Sequence, residues 1–154
     1  MTVLKSLLLA IDLATSKRDQ ALAQLQKTMQ AHAFAQDQMQ QLQQYAQETE
    51  QRWLQNAQRS TTPELLHHHY QFMNRLNQAI GLQDGVLAGS SQRVDTAKQV
   101  VLQAEFRLAS LQQVLAGRQA DQAKTQQRRE QKQMDEFAAL QTQRQIRMQT
   151  ESPS

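Results

Sequence analysis

Every seventh position from 66 onward holds an apolar residue: Leu66, Met73, Ile80, Leu87, Val94, Val101, Leu108 and Leu115. A companion row three residues on, His69, Leu76, Gln83, Ser90, Ala97, Ala104 and Leu111, is smaller and partly polar, and it faces the same way. A seven-residue apolar period predicts a long helix that buries a narrow stripe against another helix, with left-handed supercoiling. A second, weaker pattern runs through residues 2 to 58. Its rows are Leu4, Ile11, Arg18, Leu25, His32, Met39, Ala46 and Trp53, and Leu7, Ala14, Ala21, Thr28, Ala35, Leu42 and Thr49. Arg18 and His32 interrupt it, but the stretch contains neither Gly nor Pro and reads as one helix.

The break falls at Arg59-Ser60-Thr61-Thr62-Pro63-Glu64. Thr62 can cap the second helix, Pro63 suits its first position, and Glu64 suits the positive end of its dipole. A short connection makes the two helices antiparallel neighbours. Folding back at 60–62 sets Leu4 against the Leu115 region, Leu42 against Ile80, and Trp53 against Leu66–His69. The second stripe ends at Leu115, where the first helix runs out of residues. That coincidence favours pairing within the chain over a parallel dimer. The expected fold is all-α: a long antiparallel two-helix coiled coil, a helical hairpin, with helix 2 extending beyond helix 1 and arms about 80 Å long. The expected divisions are helix 1 over 1–58, a turn at 59–62, the paired part of helix 2 over 63–117, a projecting basic helical tail over 118–149, and a disordered end at 150–154. The tail has no seam, since Gln122, Arg129, Glu136 and Gln143 hold its register. It is therefore expected to fray when free and to become ordered in a complex.

Composition agrees with long helices rather than a globule: 32 Gln among 154 residues, two Pro, four Gly and few aromatics. Cysteine is absent, so disulfides and thiol chemistry are excluded. The apolar run Leu7 to Ile11 is stopped by Asp12 and is shorter than a signal peptide's core, so these residues are read as part of the mature seam. No apolar run is long enough to span a membrane. A cytoplasmic or membrane-peripheral chain is expected. Net charge is only +3. Seven basic and four acidic residues fall between 118 and 147, so this segment carries the whole excess.

Candidate chemistry is sparse. His67-His68-His69 are adjacent on a helix and diverge by about 100° each, so they cannot converge on a metal, and a solvated first turn is expected. Gly81, Gly85 and Gly89 predict a softened middle of helix 2. Phe72, Ala79 and Val86 lie one position before the stripe of helix 2, and Gln38 and Tyr45 hold the same position on helix 1. Antiparallel pairing puts both rows on one edge, with Tyr45 beside Phe72. Such an edge either widens a thin core or meets a partner. The basic tail, with Phe137 as its one aromatic, is a weak nucleic-acid signature and suits an acidic protein surface as well. No nucleophile, phosphate loop or water-excluding cleft is visible, so no enzyme, metal or cofactor is expected.

The run Arg128-Arg129-Glu130-Gln131-Lys132-Gln133-Met134-Asp135-Glu136-Phe137 resembles the C-terminal signature of the FliJ family. Leu42 and Tyr45 in helix 1 and Tyr70-Gln71-Phe72 opening helix 2 agree with it. The resemblance implies a component of the flagellar type III export apparatus, similar to the central stalk of rotary ATPases. It implies binding to the hexameric export ATPase and to the membrane export gate, escort of export chaperones, and a place at the flagellar base. By resemblance the gate contact is Gln38, Leu42, Tyr45, Phe72, Leu76 and Ala79. Contacts to the ATPase ring are expected from Lys5, Arg118, Lys124, Arg128 and Arg129. A monomer is expected when free, with no nucleic-acid partner and membrane association only through partners. The alternatives are a generic coiled-coil scaffold whose basic tail binds nucleic acid or protein, and the equivalent stalk of a virulence secretion system.

Overall fold

The computed structural model describes residues 2–151, the side chain of Thr2 excepted. They form two helices, α1 (Thr2–Ala57) and α2 (Pro63–Glu151). No strand occurs among the described residues. α1 ends at Ala57, where Arg59 N–H and Ser60 N–H both donate to Asn56 O, at 3.1 and 3.2 Å. Those two bonds satisfy a carbonyl that the helix end would otherwise leave unpaired. α2 starts as its sequence dictates. Thr62 Oγ1 accepts from Leu65 N–H at 3.2 Å, Thr62 O accepts from Leu66 N–H at 3.0 Å, and Pro63 takes the first helical position.

The chain divides into two compact units, residues 13–107 and residues 1–12 with 108–154. The first is the hairpin around the turn. Its seam follows the seven-residue rows. On α1 every position of both rows from Ala14 to Trp53 is buried or half-buried, and on α2 the same holds from His69 to Ala104. Leu66 is the exception: it belongs to the apolar row but is exposed. The layers it would join lie beside the turn, where α1 offers little cover. Buried side chains are small or slender, among them Ala14, Ala21, Ala35, Met39, Leu76, Val94, Ala97 and Val101. A two-helix seam excludes water from one stripe only, so each buried aliphatic contributes at most the usual ~1.5–3 kcal/mol.

Three polar layers cross this seam. Ser90 is buried, and its hydroxyl donates to Leu87 O at 3.0 Å. Its oxygen lies 2.6 Å from His32 Nδ1. With the only hydroxyl proton committed to Leu87 O, Nδ1–H must be the donor to Ser90 Oγ. His32 Nε2 then accepts from Gln36 Nε2–H at 3.2 Å. In the second layer Gln83 Nε2–H donates to Ala35 O at 2.8 Å. In the third His69 stacks on Trp53, centroids 4.4 Å apart and rings 8° from parallel. His69 Nε2–H also donates to Glu50 Oε2 at 3.2 Å. The solvated first turn expected for the three histidines therefore holds for His67 and His68 but not for His69, which closes the seam near the turn. No group of three or more ligating side chains able to hold a metal occurs among the described residues.

In the second unit, Leu4, Leu7 and Ile11 of α1 and Leu111 and Leu115 of α2 are half-buried, and Leu108 is buried. From Arg118 to Glu151 every residue is exposed. The helix runs to Glu151; residues 152–154, most of the end expected to be disordered, lie outside the described residues. Local bonds explain part of the helix's persistence. Gln126 donates to Glu130 at 3.1 Å and Gln131 to Asp135 at 3.1 Å, both spaced four apart on one helix face. The glycines do not break α2. A Cβ at Gly81 or Gly85 would meet open space, so neither marks a close approach.

Candidate functional site: one edge of the hairpin and a cationic helix face

Antiparallel pairing puts the position before each apolar row of α1 and α2 on the same edge. Tyr45 and Phe72 meet there, edge to face, with centroids 6.0 Å apart and planes at 84°. Edge-to-face packing sets the positive rim of one ring against the negative face of the other. It leaves Tyr45 48% and Phe72 37% exposed. An aromatic pair that is held yet wet is pre-organised for contact, because its two rings are already fixed in place. The pair therefore does not close into the core.

The six positions matched to gate contact do not all share this surface. Gln38 is exposed, and Gln83 Nε2–H donates to its Oε1 at 3.4 Å. Leu42 and Ala79 are half-buried. Leu76 is 8% exposed and belongs to the seam beneath the pair. As a row position it points at the opposite helix. The sequence also left unassigned Gln83 beside Gln38 on this edge, and Glu50 beside the Trp53–His69 pair toward the turn. Their signal lies in the antiparallel register, where partner numbers add to about 119–122.

Lys5, Arg118, Lys124, Arg128 and Arg129 all lie in the second unit, and all are exposed. At 3.6 residues per turn, Arg118, Lys124, Arg128, Arg129 and Lys132 fall within about 140° of the helix circumference. Their charges are not spent internally. Among the described residues of 118–151 there is no ion pair, and two of the acids, Glu130 and Asp135, accept from Gln amides instead. Val3 and Leu4 line a shallow depression with Arg118, Asp121 and Gln122, so the start of α1 lies beside the first basic residue of this face.

The family model described as "Flagellar FliJ protein" matches residues 4–147. No significant match occurs among curated proteins or solved structures. No helix of the described residues is long and apolar enough to cross a membrane. The matched span takes in both helices, the aromatic edge and nearly all of the cationic face. The chain thus belongs to the FliJ family, components of the flagellar type III export apparatus.

Proposed function

We propose that this chain is a stalk-like adaptor of the flagellar export machinery. On this reading it works in the cytoplasm at the base of the flagellum, peripheral to the inner membrane. Its basic helical segment engages the hexameric export ATPase, its aromatic edge engages the membrane export gate, and it escorts export chaperones. The observation that carries the reading is the unshared helix 118–151. A segment of 34 consecutive exposed residues, with unspent positive charge on one side, has no role in stabilising its own chain. Such a surface suits insertion into a partner assembly with an acidic lining.

The test is direct. The purified chain should raise the turnover of the cognate export ATPase. Reversing Lys124, Arg128 and Arg129 to Glu should remove most of that stimulation while helix content by circular dichroism stays unchanged. No stimulation by the native chain would sink the ATPase arm. The gate arm stands separately. Tyr45→Ala with Phe72→Ala should weaken gate binding about tenfold or more, again with unchanged helicity. A loss of helicity would instead make the pair part of the core.

A further inference from the structure

The same edge that carries Tyr45 and Phe72 changes character along the hairpin. Between residues 14–28 of α1 and 89–107 of α2 it opens into two adjoining hollows that share Ala21 and Val100 as lining residues. They enclose about 430 and 440 Å³. The floor is made of small side chains, Ala14, Ala21, Ala97 and Ala104, and Gly89 leaves one wall bare. Val100 stands in the middle, 48% exposed. Three cations line it: Lys17, Arg93 and Arg107. No carboxylate does.

These cations are unneutralised by design of the sequence. The residues three and four away from Lys17, Arg93 and Arg107 are all uncharged, so none has a carboxylate at helix-neighbour spacing. None of the three forms an ion pair among the described residues. Gly89 contributes too: a Cβ there would come within 3.3 Å of Arg93 Nη2. The missing side chain lets the guanidinium lie against the helix, at the groove wall rather than out in solvent.

We propose that this groove is the docking site for an acidic amphipathic helix of a partner protein. An apolar floor between two antiparallel helices is the geometry into which a third helix packs. The fifteen residues of α1 from Ala14 to Thr28 give it a length of about 21 Å, room for roughly four helical turns. Small floor residues admit a close approach, Val100 supplies the central apolar contact, and the three cations select carboxylates along the flanks. The chain's own unpaired helix is an unsuitable occupant, because residues 118–147 carry the entire positive excess. The groove contains no aromatic ring on which a nucleic-acid base could stack. It is also separate from Tyr45 and Phe72, so its failure leaves the gate test untouched.

A photo-reactive benzophenone residue at position 100 of the full chain, expressed in motile cells, tests this. The cross-linked peptide is then identified by mass spectrometry. The expected product is a segment of another protein with heptad-spaced apolar residues and net negative charge. Lys17→Glu with Arg93→Glu should cut the yield about tenfold, whereas Lys98→Glu on the opposite edge should leave it unchanged. Lys17→Gln with Arg93→Gln serves as a milder pair, and circular dichroism checks that each variant stays helical. A basic or neutral segment, a second copy of this chain, no protein product, or a yield indifferent to both charge pairs would overturn the proposal.

Discussion

α2 contains two stretches of the same helix with opposite circumstances. From His69 to Ala104 it presents an apolar or small residue to α1 at nearly every register position, and those positions are buried or half-buried. From Arg118 to Glu151 the same register carries Gln122, Arg129, Glu136 and Gln143, and nothing is covered. Both stretches are helical. The difference teaches that helix and seam are separate properties. Helix depends on composition and on bonds between residues four apart, and the seam depends on what stands at every seventh place. A residue's importance for stability therefore follows its register position and its partner, not its membership of a helix.

Identical chemistry placed in the two stretches should break them apart. Val101→Asp puts an unpaired carboxylate into the seam and should cost about 3 kcal/mol or more. Gln122→Asp, at the same register three heptads on, should change stability by less than about 0.5 kcal/mol. Denaturant unfolding followed by circular dichroism measures both, and equal effects would refute the comparison. A smaller change tests how the paired stretch begins. Thr62→Ala removes the cap on Leu65 N–H and should lower stability by about 1 kcal/mol. Smallest is Gly85→Ala, where the new methyl meets open space. It should stabilise the hairpin by a little under about 1 kcal/mol through helix propensity. A destabilisation there, read as a lower melting temperature, would mean that Gly85 serves a bend.

Much of this could be read from residue order alone. A period of seven is a strong signal because one helix face repeats it for more than ten turns, so the rows from Leu4 to Thr49 and from Met73 to Leu115 name the covered positions directly. The Tyr45–Phe72 contact followed from those rows plus the turn. What escaped were events that need two helices at once. His32 looked like an interruption of one stripe and Ser90 like a weak place in the other; brought together they satisfy each other. His69 was expected both opposite Trp53 and in a solvated first turn, and the stacking of the two rings decides for the seam. Lys17, Arg93 and Arg107 are scattered in sequence, and only pairing gathers them along one groove. The tail is a different case: residues 118–149 were expected to be helical from their composition alone. Absence of a seam suggested fraying, while the Gln126–Glu130 and Gln131–Asp135 bonds act without one.

The polar layers also bear on sliding. A coiled coil held only by apolar rows has near-equivalent alignments one heptad apart, since leucine-like side chains fit any vacant hole. Here a seven-residue slip would carry Ser90 away from the His32 ring, draw Gln83 off the Ala35 carbonyl, and unstack His69 from Trp53. Each displaced group would sit among aliphatic neighbours with its hydrogen bond unmade, at roughly 1–3 kcal/mol apiece. The three layers thus work like teeth on a keyed shaft: under an axial or twisting load the helices must move together or separate, and intermediate slippage is barred.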